Sequence, residues 1–196
     1  VYMLVGQGGN IGVSVGDDGI VVIDDEYLPL APKIIAALNG ITDKPIKFII
    51  NTHYHGDHTG GNEVFGRTGT IIAHDNTRKR LEIGPVTPLH TPPPAPKMAL
   101  PLVPLTDTAT IHVNDEGVRA VHFPHGHTDG DPVIHFTQAN LVHMGVAFFN
   151  GHSSGACSPR RYRPSSSWDR RASIRLTSRR FPFTLAISMP SYPVVW

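Results

Sequence analysis

The chain opens with three short apolar segments, Tyr2–Val5, Ile11–Val15 and Ile20–Ile23, broken by glycine-rich stretches at Gly6–Asn10 and Gly16–Gly19. Apolar runs of this length bounded by turn residues predict strands. From Pro29 to Leu38 the spacing changes. Leu30, Ile34, Ile35 and Leu38 recur at helical intervals and Gly40 supplies a stop, so a helix is predicted there. Ile46–Ile50 predicts a buried strand that runs straight into Asn51-Thr52-His53-Tyr54-His55-Gly56-Asp57-His58. A short helix near Gly61–Phe65, a strand at Thr70–Ala73 and a helix around Asp75–Leu81 follow. Strands resume at Thr108–Val113, Val118–Phe123, Val133–Phe136 and Leu141–Met144. The alternation predicts an α/β layered fold.

One stretch interrupts this pattern. Residues 84–104 contain eight prolines, a density that leaves no room for a regular element and predicts an extended surface loop. A plain connection and a cover over a site are equally open readings of it. The 196 residues suffice for one domain with a hydrophobic core, and no apolar run approaches the roughly 20 residues of a membrane-spanning helix. Cys157 is the only cysteine, which excludes an internal disulfide and a cysteine-based zinc site. Val1-Tyr2-Met3-Leu4-Val5 already reads as a strand, with no initiator Met and no charged leader. Either a leader has been removed or the sequence is a fragment, and localisation stays open between periplasmic or secreted and cytoplasmic.

The net charge of +1 hides an uneven distribution. Residues 1–150 carry 9 Lys+Arg against 15 Asp+Glu, whereas residues 151–196 carry 8 Arg against Asp169 alone. In that tail Arg, Ser and Pro fill 23 of 46 positions, Lys is absent, and only Phe181–Ile187 has the character of a strand. The division predicted is therefore a domain over 1–150 and an anomalous tail over 151–196. A basic tail can contact nucleic acid, but this one lacks Lys, aromatic stacking spacing and any binding motif, so a small molecule is the partner expected. Nothing in the sequence sets an oligomeric state.

Twelve histidines are the other anomaly. His53-x-His55-x-Asp57-His58 places three imidazoles and a carboxylate within six residues of a strand end. The two-residue spacing lets His53 and His55 turn to one side of an extended strand end, while Asp57 and His58 point to a neighbouring position. Such imidazole-rich sets suit zinc, and two adjacent sets suit a pair of ions. His122, His135 and His143 fall in strands and are read as packing or surface residues. His125 is read either as support for its neighbour His127 or as turn polarity.

Thr52-His53-Tyr54-His55-Gly56-Asp57-His58-Thr59-Gly60-Gly61-Asn62 resembles the signature of the metallo-β-lactamase superfamily of hydrolases. Pro124-His125-Gly126-His127-Thr128-Asp129-Gly130-Asp131 resembles its second motif, and Gly8-Gly9-Asn10-Ile11 and Val22-Ile23-Asp24 are similar to its opening strands. The resemblance covers about residues 1–150. It implies an αββα sandwich with metals at one edge of the sheets. It further implies a first zinc on His53, His55 and His127, and a second site started by Asp57 and His58. The reaction implied is hydrolysis of a lactam, ester or thioester-like bond by a metal-activated hydroxide, oriented by the second metal or by Asp57, the catalytic residue implied.

Two features depart from that family. In Val142-His143-Met144-Gly145-Val146-Ala147 the position of a metal-bridging Asp in many relatives is Val146, although the lactamase branch also lacks Asp there. The last metal-binding His has no counterpart, because His152 lies too early in the chain. The second zinc site is therefore expected to be weak or incomplete. The C-terminal half is expected to be incomplete or corrupted, with the tail read as an out-of-frame translation and a genuine basic tail as the alternative. A metal-binding but catalytically impaired relative is the second functional reading.

Overall fold

Each residue of Gly19–Ile23 is buried, and the strand parts its side chains between two cores. Ile20 and Val22 point into one cluster with Ile11, Val13, Ile34, Leu38, Ile49 and Ile71. Val21 and Ile23 point into another with Ile50, Ile72, Val118, Ile134 and Phe136. Side chains alternate faces along a strand, so an unbroken apolar run is what a strand covered on both sides requires. A computed structural model describes residues 1–84 and 92–147 and the backbone of 194–195.

The first sheet runs β1 (Tyr2–Val5), β2 (Asn10–Gly16), β3 (Gly19–Ile23), β4 (Ile46–Ile50), β5 (Thr70–His74) and β6 (Val103–Leu105), in that spatial order. The first three are antiparallel neighbours, and β3 to β6 are parallel. Helix α1 (Ala31–Asn39) connects β3 to β4 and covers the outer face through Ala31, Ile34 and Leu38. Helices α2 (Gly56–Thr59) and α3 (Asn62–Phe65) lie between β4 and β5, and α4 (Asp75–Ile83) follows β5. The second sheet comprises β7 (Thr108–Val113), β8 (Glu116–His122), β9 (Pro132–Phe136) and β10 (Leu141–His143), antiparallel in turn, with β11 (Val194–Val195) parallel to β10. The second core is the interface between the two sheets. Together they form the layered mixed α/β sandwich that the chain pattern predicts.

Three local readings need correction. The proline-rich stretch is not devoid of regular structure. It contains a 3-10 turn at Lys97–Ala99 and β6, which accommodates Pro104 because β6 is the outermost strand and forgoes one ladder donor at little cost. Val194–Val195 pairs with β10, a contact that no apolar pattern signalled. His53 and His55 lie on a bend beyond β4, not on an extended strand end. The candidate strand at 181–187 and the rest of 148–193 lie outside the described residues.

Because β3, β4 and β5 are parallel, their C-terminal ends emerge at the same edge. Asp24 follows β3, the histidine motif follows β4, and His74 ends β5. Backbone bonds from Asp24 to Ile50 and from Asn51 to Ile72 carry the ladder just past the strands, so the residues after them start from fixed positions.

Candidate metal centre

The chain leaves β4 through buried Asn51, Thr52 and His53, and α2 then turns Asp57 and His58 back towards them. Asn51 holds this turn from inside, its side-chain amide donating to the His58 carbonyl at 3.1 Å. Across the site, residues 124–131 bring His127 down from the end of β8. Nδ1 of His55 and Nε2 of His127 stand 3.1 Å apart, and both rings contact His53 edge-on.

Two groups of donor atoms result, each within 4.8 Å: His53, His55 and His127, and His53, Asp57 and His58. The first is the set implied for a first metal. The second unites Asp57 and His58 as expected and adds His53, which the sequence reading assigned to the first set alone. His125, at φ 64° and exposed, belongs to neither group. His143 is buried, with Nε2 on the Asn10 carbonyl and Nδ1 accepting from the Gly145 amide. It is a packing residue, as its strand position suggested. His74 caps α4 by accepting from the Asn76 amide, and its ring stacks on His122.

The electrostatic organiser of the site is Asp24, a residue singled out only as part of a strand motif. Its Oδ1 accepts the Thr52 amide, and its Oδ2 accepts both the Thr52 hydroxyl and His58 Nδ1, each at 2.7 Å. Since the Thr52 proton is directed to Asp24, the Thr52 oxygen acts as acceptor for His53 Nδ1 at 3.2 Å. In its neutral form each imidazole would therefore leave Nε2 as a lone pair towards the site. His58 Nε2 is buried without a hydrogen-bond partner, 3.6 Å from Asp57 Oδ2. An orphaned buried nitrogen is costly unless something occupies its lone pair. A zinc ion with Zn–N near 2.0–2.1 Å fits that donor set.

The charge states of His53 and His55 agree with this role. Burial, reinforced by the neighbouring imidazoles, pushes His53 down to about 3, so it is neutral at ordinary pH. Burial and the proximity of His127 also lower His55. His58 moves the other way. Burial alone would lower it, but the Asp24 carboxylate overrides that and raises it. Asp24, despite its burial, is held below the usual carboxylate range by His58. Next to it, burial and the Asp24 charge raise Asp25 well above that range, which favours its protonated form.

The glycine-rich hairpin between β1 and β2 lies over the second group. Glu26 accepts the Gly8 and Gly9 amides at 2.9 and 2.8 Å, and a side chain at Gly8 would run into Asp57. The run Asp24-Asp25-Glu26, three acids following an all-apolar strand and all buried, was the available signal for these supporting roles. The segment after β10 is also close, since Gly145, at φ 53°, packs against the Thr52 side chain. Val146 follows it, half-buried.

Residues 6–176 match the family description of the metallo-β-lactamase superfamily. The chain belongs to this superfamily. Among solved metallo-β-lactamase-fold structures, one from Cronobacter sakazakii, described by its HARLDQ motif, is similar over 73% of this chain and 55% of its own, with 20% identity and a TM-score of 0.59. The Rm3 metallo-β-lactamase is 27% identical over 67% of this chain and 52% of its own, with a TM-score of 0.56. The subclass B3 enzyme BJP-1 of Bradyrhizobium japonicum is 22% identical over 65% and 50%, with a TM-score of 0.55. This superfamily member thus spans about half the length of the solved structures it matches. A linear primary-alkylsulfatase of Pseudomonas sp. is 39% identical over 49 residues, which are 24% of this chain and 9% of the relative.

Proposed function

We propose that this superfamily member is a zinc-dependent hydrolase acting on a lactam, ester or thioester-like bond of a small molecule. The observation that carries the reading is the convergence of His53, His55 and His127, with the neutral state of His53 set by burial and its tautomer by Thr52 and Asp24. When bound, zinc supplies a water nucleophile at neutral pH and stabilises negative charge developing on the substrate oxygen.

The chain's own residues do the rest. His53, His55 and His127 would hold the ion, with the first buried and the last exposed, so one side of the centre faces solvent and can admit substrate. His58 and Asp57 would begin a second, weaker position, in which Asp24 fixes the His58 ring and Glu26 holds the glycine hairpin against Asp57. Asp57, with a side chain 30% exposed, stands where the buried cluster meets solvent and would accept a hydrogen bond from the attacking water. Metal removal from such a centre is expected to abolish turnover.

A second reading, a metal-binding but catalytically impaired member, is favoured by one observation. Val146, next in the chain to Gly145, which packs against Thr52, offers no carboxylate. Zinc analysis of the purified chain, together with a hydrolysis panel of a lactam, a thioester and a phosphodiester, separates the two. One tight zinc with chelator-sensitive turnover supports the hydrolase. Zinc without turnover supports the impaired member, and absence of tight zinc binding sinks both.

A further inference from the structure

The three imidazoles of the first group come from two segments far apart in sequence, and His127 is exposed. Its placement depends on the loop that carries it, and that loop rests on α4, which contributes no donor to either group. The contacts are specific. The Asn76 side-chain amide donates to the Asp129 carbonyl at 2.8 Å, and the buried Thr77 hydroxyl donates to the Gly130 carbonyl at 3.2 Å. Arg80 Nη2 lies 2.8 Å from Asp129 Oδ2. A side chain at Gly130 would press into Thr77, so loop and helix are in close approach there. From within, Asp131 locks the loop by accepting both the amide and the hydroxyl of Thr128.

Arg80 also reaches the other segment. Its guanidinium lies 5.8 Å from the centre of the Tyr54 ring, which packs against His55 with ring centres 4.6 Å apart. A planar cation can hold a carboxylate at its edge and an aromatic ring at its face at the same time. Arg80 thus touches the immediate neighbour of His55 on one side and Asp129, two residues beyond His127, on the other. His55 and His127 are the two imidazoles that stand 3.1 Å apart.

We propose that Arg80 is a positioning residue which, with Asn76 and Thr77, registers the His127 loop against the His53–His55 segment and so completes the three-imidazole set. The inference rests on the reading of that set as a zinc site. An exposed ion pair contributes little to overall stability, so the effect should appear in metal binding and not in folding.

The test is zinc affinity of the full chain, measured by competition with a chromophoric chelator, beside the thermal midpoint of the metal-free protein. Arg80→Ala is expected to weaken zinc roughly tenfold, the lower end of what losing a partner that orients a metal ligand costs, with little change in midpoint. Asp129→Asn should do the same through the other half of the contact. Arg80→Lys, which keeps the charge but loses the planar face, should fall between Ala and the parent. In a His127→Ala background, Arg80→Ala should cause no further loss, because its effect passes through His127. A zinc affinity unchanged by His127→Ala overturns the site reading and the inference together. A loss in His127→Ala with none in Arg80→Ala or Asp129→Asn overturns the positioning role alone, as does an additive loss in the double variant.

Discussion

Asp24 accepts a hydrogen bond from His58 Nδ1 at 2.7 Å, with both side chains at most 3% exposed. The bond fixes the His58 tautomer and leaves Nε2 directed at Asp57. Removing one partner of such a buried pair leaves the other uncompensated. Asp24→Ala is expected to cost about 3–5 kcal/mol of stability, read by urea unfolding of the metal-free chain. Asp24→Asn retains the shape but not the charge, and should still weaken zinc binding about 10–100-fold. Native zinc affinity in Asp24→Asn would separate the buried pair from the metal centre.

The position of Gly8 against Asp57 sets a steric prediction. Gly8→Ala should displace either the hairpin or Asp57, since its added carbon meets the Asp57 side chain. Turnover is expected to fall while binding of the first zinc, which does not use Asp57, persists. Equal losses in both would show that the hairpin supports the whole centre.

Burial lowers His143, which is held neutral between the Asn10 carbonyl and the Gly145 amide. In the unfolded chain the same group titrates near 6.5. Below that pH the unfolded state takes up a proton that the folded state resists, so stability is greatest above about pH 6.5 and declines as the medium is acidified. Denaturant midpoints of the metal-free chain across pH 8 to 5 should show this decline. His143→Gln, which cannot titrate, should flatten it. An unchanged slope in that variant would assign the dependence elsewhere, to groups such as His53.

Restoring a carboxylate tests the functional reading. Val146→Asp alone is expected to recover little activity, because a further ligand expected near the C-terminus has no counterpart in this sequence. His55→Ala should abolish whatever turnover the chain possesses. Strong chelator-sensitive turnover by the unmodified chain would show that neither Val146 nor the tail limits catalysis.

The change in composition near residue 151 makes a prediction about the gene. A shifted reading frame is expected to restore a helix-periodic, acid-containing sequence after Gly151 in place of the run rich in Arg, Ser and Pro. Sequencing the encoding DNA decides this. If neither alternative frame yields such a sequence, the basic tail is genuine.

Apart from β6 and β11, the strands and the first helix were legible in the chain because their information is local. The apolar run Ile20–Ile23, bounded by turn residues, and the helical spacing of Ile34 and Leu38 each favour one conformation from local information. The candidate metal-binding residues were legible for a similar reason, since five possible donors fall in two short motifs. What the pattern could not convey was partnership across distance. Asp24 lies 34 residues from His58, and Arg80 lies 49 from Asp129. Nothing in either short segment encodes which residue it will meet. Parallel pairing of β3, β4 and β5 brought Asp24 to the histidine motif, and the docking of loop 124–131 on α4 brought Asp129 to Arg80. The same limit explains Pro104. Local propensity argued against a strand, and only its place at the outer edge of the sheet, where a missing amide costs little, allowed one. The sequence by itself determined which residues were available for metal chemistry. The tertiary structure decided which carboxylate orients them, because buried polar groups take their partners from whatever the fold packs against them.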